Sequence, residues 1–263
     1  MDFSNKRTIL QLGNILTPII CFLVIGIISL LYDDLETFTS GGESSLIDPI
    51  GFAFAIWGPI FLFLSLFLFY QSKDLFKDPE NKQDISFIDQ VSVFFMLSTI
   101  MACSWYLFWS FRIIWMATLS MILYLICILS AYLRLNINRV QRSKKEFIYL
   151  VVPWSMYAGW VTAATIVSIT TFFESINFNR PTFLLSDTGW AIIVLIITLL
   201  IYSAVLITRT DYIYAGVGVW VLLGIIFERL ANSPVVYEVI VVCIIGIIAL
   251  TWIGIYKFLQ REK

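Results

Sequence analysis

Apolar residues in this chain come in long unbroken runs, without the every-other-residue alternation of a half-buried strand. Eight runs stand out, at about 8–32, 51–71, 87–110, 113–134, 147–173, 188–208, 212–228 and 235–258, and short segments carrying most of the charge separate them. As an α-helix, about 20 such residues span about 30 Å of hydrocarbon. Lipid offers nothing to pair with a backbone N–H or C=O, so continuous runs of this length predict helices. The pattern therefore predicts an all-α integral membrane protein with about eight transmembrane helices. The seventh run is short and bounded by Arg209/Asp211 and Glu228/Arg229, which suits a short tilted span or a partly re-entrant helix. The first follows Asn5-Lys6-Arg7 but is too long for a signal peptide and has no small-residue cleavage site after it, so it reads as an uncleaved span.

Composition agrees: 60% of residues are hydrophobic, 13% are charged, and the mean hydropathy is +0.90. A soluble core of this size cannot hide so much apolar surface. Charge then gives a direction. With a cytoplasmic N-terminus, all but three of the 17 Lys and Arg residues fall on the cytoplasmic side, the exceptions being Arg112, Arg180 and Arg229. By the positive-inside rule this predicts a multi-pass protein of the cell (inner or plasma) membrane with both termini cytoplasmic. The outer connections are acidic, carrying Asp33, Asp34, Glu36, Glu43, Asp48, Glu174, Asp187, Glu228 and Glu238. Acids contribute little to topology, so either they sit there freely or they form a vestibule that attracts cations.

Reactive chemistry is sparse. The chain has no histidine, which removes the commonest general base, the usual haem ligand and most zinc sites. Its four cysteines, Cys21, Cys103, Cys127 and Cys243, lie within spans without metal-ligand spacing. No Gly-rich phosphate loop, nucleophile elbow or carboxylate pair within one span is present. Lys257 lies at the cytoplasmic end of the last run, where it snorkels more readily than it forms a retinal Schiff base. No basic, aromatic-interleaved surface suited to nucleic acid occurs. These absences predict no catalytic residue, no metal and no nucleic-acid partner.

Two segments set large rings beside residues with almost no side chain: Gly51-Phe-Ala-Phe-Ala-Ile-Trp57-Gly-Pro59 and Pro153-Trp-Ser-Met-Tyr157-Ala-Gly-Trp160-Val-Thr162-Ala-Ala-Thr165. A ring-lined cleft between helices suits a flat, greasy ligand. Pro153, Trp160, Ala164 and Thr165 fall in a spacing that resembles the fifth helix of the TspO/MBR family, the tryptophan-rich sensory proteins. Asp48-Pro49-Ile50-Gly51-Phe52 with Trp57-Gly58 is similar to the opening of that family's second helix, and Trp105-Tyr-Leu-Phe-Trp109 with Trp115 to its third-to-fourth hairpin. Arg209-Thr-Asp211-Tyr212-Ile-Tyr214 before a Trp-containing helix resembles the longer members. The chain departs from the family pattern at Ser168 and at Cys103-Ser104, where the family usually carries Asn.

The resemblance implies a TspO-like five-helix core over residues 1–174, and three additional C-terminal transmembrane helices over 175–263. It further implies a pocket at the extracellular end that accepts porphyrins, sterols or drug-like aromatic compounds. The connection Asp33–Asp48, with Gly41-Gly42 as a hinge, would cover it. Haem, another porphyrin or a lipid is then the expected bound group. The family has also been linked with pigment breakdown, an activity for which this chain offers no acid–base pair.

Helical spacing puts Tyr157, Trp160 and Ala164 along one side of their helix. The expected pocket wall is those three facing Phe54 and Trp57, with Trp105 and Trp109 closing the side and Ser155, Tyr157 and Thr162 as a polar set, although these last three do not all share one helical face. Against this stands simple packing: Trp and Tyr anchor helices at both membrane interfaces, which is the plainest account of Trp115, Trp190, Trp220 and Trp252. Gly51, Gly58, Gly159, Gly216 and Gly224 likewise suit close helix approach, and small-residue faces suit a homodimer. Two functions stand open. One is a receptor, sensor or carrier for a planar hydrophobic ligand, with membrane lipid as its other partner. The other is a secondary transporter or channel for a small solute or ion, although no internal repeat is evident.

Overall fold

The structure, a computed structural model, describes residues 3–32, 45–77, 87–178 and 186–261. It is helical, with no strand among the described residues. The helices are α1 (Phe3–Leu31), α2 (Trp57–Gln71, entered through a 3-10 turn Gly51–Ile56), α3 (Phe87–Val91), α4 (Phe94–Ser110) and α5 (Ile114–Arg134). After them come α6 (Lys144–Glu146), α7 (Val152–Ser175), α8 (Asp187–Arg209), α9 (Tyr212–Ala231) and α10 (Tyr237–Arg261). Seven helical stretches are long and apolar enough to cross a membrane, and the 17-residue α4 is an eighth, shorter apolar helix. The protein is thus an all-α, multi-pass membrane protein of about eight spans.

Two details differ from a plain reading of the runs. The third run, 87–110, is broken: α3 closes at Ser92, whose φ is 50° and whose N–H reaches the Ile88 carbonyl at 2.7 Å. No proline or glycine marks that break, so a hydropathy run cannot show it. The seventh run, in contrast, is a full helix of 20 residues. Its start is fixed by Asp211, whose side chain accepts the Tyr214 N–H at 3.0 Å.

Three helix ends follow one device. After α4, Ile113 N–H reaches the Phe108 carbonyl and Arg112 N–H the Trp109 carbonyl, with Arg112 left-handed at φ 59°. The same pair of bonds closes α5 at Asn136 (φ 49°) and α7 at Asn177 (φ 52°). This is the Schellman closure, which satisfies end carbonyls that lipid or headgroups cannot. Asn tolerates the left-handed region, whereas Arg112 occupies it at some strain. At its other end α7 continues from α6 through a π-helical turn, Phe147–Val151, just before Pro153. Such widening accommodates a residue that lacks the N–H needed to continue the ladder. A capping box between Ser143 and Glu146 starts the whole stretch.

Packing divides the chain into two compact units, Met1–Phe38 with Pro59–Trp154, and Thr39–Gly58 with Ser155–Lys263. In the first, α4 packs along α5 and against α1. Its core is ring upon ring: Phe67 lies 5.6 Å from Trp154 and 5.8 Å from Phe95, and Tyr70 stacks on Tyr149 at 4.8 Å with Lys73 4.4 Å above the Tyr70 ring. Each such aromatic pair adds about 0.5–1.5 kcal/mol beyond burial. In the second unit α8, α9 and α10 pack on one another, and the 3-10 turn rests on α9.

Candidate functional site

The second unit assembles the aromatic site from the 3-10 turn upward. Ile50 N–H donates to the Gly224 carbonyl at 3.0 Å, and the Trp220 indole N–H donates to the Ala53 carbonyl at 2.8 Å. Phe52 lies edge-on to Trp220 and Phe227. The approach depends on Gly224, because a Cβ there would come within 2.9 Å of both the Pro49 and Ala53 Cβ atoms. Trp220, read from sequence as an anchor or packing residue, therefore pins the turn to α9. Gly159 is similarly tight, a Cβ there meeting Val217 at 3.0 Å, whereas Gly51, Gly58 and Gly216 face open space.

Held in this way, the turn presents two rings to α7. Phe54 meets Trp160 edge to face at 5.5 Å, and Trp57 meets Trp160 at 6.1 Å and Tyr157 at 6.4 Å. Four of the seven residues expected to line a pocket come together here, and Ala164 follows one turn after Trp160 on the same helix. Trp160 is 2% exposed while Phe54 is 36% exposed, so the group runs from the interior to the surface. The Trp160 indole N–H has no acceptor among the described residues. A buried donor left unpaired costs about 1–3 kcal/mol, so this N–H is a polar handle on that wall still to be answered. Trp105 and Trp109 belong to the other unit, where they stack on each other at 6.1 Å and 29°. The covering connection falls at residues 33–44, outside the described residues; only its end, Ser45–Asp48, is described.

Two of the handles expected on α7, Ser155 and Thr162, are engaged elsewhere. Ser155 Oγ donates to Asp211 Oδ2 at 2.6 Å, and Thr162 Oγ1 donates to the Ala158 carbonyl at 2.8 Å. Thr162 has a single proton, so the Tyr214 hydroxyl 2.7 Å away donates to it. The Tyr202 hydroxyl donates to the Gly159 carbonyl at 2.7 Å. These bonds lace α7, α8 and α9 together. At the entry to the turn, Asp48 accepts the Ser45 N–H at 2.9 Å. Burial pushes its carboxyl up from 3.8 to about 6, against the pull of the Ser45 bond and of Arg229, with Glu228 and Glu174 raising it further.

Two features escaped the sequence reading. One is an apolar groove of about 370 Å³ between α8, α9 and α10, floored by Gly216 and Gly254. The other is a buried amide cluster in the first unit. Gln11 Nε2 donates to the Gln71 carbonyl at 2.6 Å and to Asp74 Oδ1 at 2.8 Å, and Asn14 Nδ2 donates to Gln71 Oε1 at 3.0 Å. The signal was available, since Gln11 and Asn14 interrupt an otherwise apolar run three residues apart.

Neither a curated protein nor a solved structure matches the chain. A family described as TSPO-like protein does, over residues 11–255, a stretch that takes in both units and every aromatic residue described above. The chain belongs to that TSPO-like, TspO/MBR-type family.

Proposed function

We propose that the protein is a membrane receptor, sensor or carrier that binds a planar hydrophobic molecule, of the tetrapyrrole or sterol-like class, against Phe54, Trp57, Tyr157 and Trp160. The convergence of these rings around an unanswered, buried indole N–H carries this reading. Large flat rings give such a ligand contact area, and one donor orients an acceptor on it, such as a carboxylate or carbonyl. Ala164 follows Trp160 one turn on along α7. Trp105 and Trp109 form a second ring pair whose part in binding is tested separately by Trp105→Leu. Family membership supports ligand binding in general.

The protein works without catalysis in this reading: neither a pigment-degrading activity nor a nucleic-acid partner is needed. It sits in the cell membrane with both termini cytoplasmic, with lipid as its solvent and a second copy as a partner through small-residue helix faces. The test is quenching of tryptophan fluorescence by protoporphyrin IX or haem in purified protein. Saturable quenching that weakens about tenfold, roughly 1.4 kcal/mol, in Trp57→Leu and Trp160→Leu supports binding at these rings. Equal quenching in wild type and both variants marks mere partitioning into detergent and refutes it. Flux of a small ion or solute through proteoliposomes without added pigment would favour a transporter instead.

A further inference from the structure

Helix α1 buries little of itself, with only 6% of its spanning window inside the protein. Among its described side chains just Leu10, Gln11 and Asn14 are buried, so two of three are amides. A helix surrounded by lipid gains nothing by burying leucines but has reason to turn its polar side chains away from the hydrocarbon. Turning Gln11 and Asn14 inward, at 2% and 0% exposure, against Gln71 at 0% and Asp74 at 3%, gathers oxygen and nitrogen atoms in one place.

The donors and acceptors there do not balance. The amide N–H groups of Gln11 and Asn14 go to Gln71 and Asp74, while Gln11 Oε1 and Asn14 Oδ1 are buried with no donor among the described residues. Three residues apart, the two side chains stand on one face of α1. Charge is also left over. Of the nearby cations, Lys6 and Arg7 pair with Asp89 and Lys73 lies over the Tyr70 and Tyr149 rings, while Lys77, three residues on, makes no ion pair with Asp74 among the described residues. No ion pair to Asp74 occurs among the described residues, and its carboxylate is met by a neutral amide.

We propose that Gln11, Asn14 and Asp74, braced by Gln71, form a binding site for a monovalent alkali cation. Oxygen ligands of this hard kind, two amide carbonyls and one carboxylate, suit an alkali ion and not a thiolate- or imidazole-seeking metal. A single carboxylate balances a single positive charge. A cation answers both orphaned carbonyl oxygens and the leftover charge at once, whereas a water molecule answers only the oxygens.

The experiment uses the full chain in detergent and radiolabelled sodium. Saturable binding is expected, with competition by potassium and none by choline. Unfolding temperature should rise with sodium and stay flat in choline chloride of the same ionic strength, because a ligand of the folded state stabilises it by mass action. Asp74→Asn and Asn14→Leu should each weaken sodium binding at least about tenfold, while the exposed Ser65→Ala leaves it unchanged. Absence of saturable binding to the wild-type protein overturns the site whatever the variants do. Undiminished binding in either folded variant, or equal stabilisation by sodium and choline, overturns it too, the latter leaving only ordered water in the cluster.

Discussion

Each unit buries a polar cluster, and the two are built differently. In the second unit Ser155, Asp211, Tyr214 and Thr162 form a chain, with the Tyr202 hydroxyl bonded to the Gly159 carbonyl beside it, and each donor named here meets an acceptor at 2.6–3.0 Å. In the first, Gln11 and Asn14 spend their N–H groups and keep buried carbonyl oxygens without donors. A closed network fixes helices against one another and asks for nothing more. An open one is poised for a ligand. The teaching is that burial of polar groups does not by itself mark a site; the balance of donors against acceptors does.

The comparison breaks most readily at Asp211. Asp211→Ala removes both the α9 cap and the partner of Ser155, and should destabilise the protein by about 2–4 kcal/mol, read as a fall in thermal unfolding temperature. Asp48 sits outside both clusters and offers a pH control. The folded protein holds its proton up to about 6 while the ordinary value is 3.8, so Asp48 ionised is a burden on the fold. Its contribution is most favourable below about 4, declines as pH rises through 4 to 6, and stays lost above, a change on the order of 2–3 kcal/mol. Unfolding measured at pH 4 and pH 7 should show that decline in the wild type and much less of it in Asp48→Asn.

Gly224→Leu forces the Pro49–Ala53 turn off α9 and should cost about 1–3 kcal/mol. Because Phe54 and Trp57 ride on that turn, it should also weaken pigment quenching. Persistence of wild-type quenching would separate the turn from the binding wall. Smallest is Tyr214→Phe, which removes one bond from the closed network and should cost about 0.6 kcal/mol, typical of interhelical hydrogen bonds in membranes. It should leave sodium binding untouched, since Tyr214 belongs to the other cluster.

Much of this is legible in the sequence. The runs at 113–134 and 188–208 became Ile114–Arg134 and Asp187–Arg209, since hydropathy tracks the demand for satisfied backbone in lipid directly. Helical spacing places Tyr157, Trp160 and Ala164 along one side of α7, and only the fold sets Phe54 and Trp57 against the first two. What could not be read was how polar atoms divide their bonds. Ser155 and Thr162 look in the sequence like handles facing a ligand, yet their hydroxyls serve Asp211 and the Ala158 carbonyl. Gln11 and Asn14 look like minor blemishes in a span, yet they are the residues α1 turns inward. Trp220 looked like an anchor, as the 58%-exposed Trp115 and 71%-exposed Trp252 still do, but it holds the turn through one hydrogen bond.

The sequence by itself determined that this is a helical membrane protein of the TSPO-like family and roughly where each span lies. Length and hydropathy act locally, residue by residue, and need no knowledge of neighbours. Tertiary structure alone decided which glycine admits the Pro49–Ala53 turn, which hydroxyls close on one another, and which amides keep an unanswered oxygen. Those are pairwise facts between residues 40 to more than 160 positions apart, and a hydrogen bond exists only when both partners arrive.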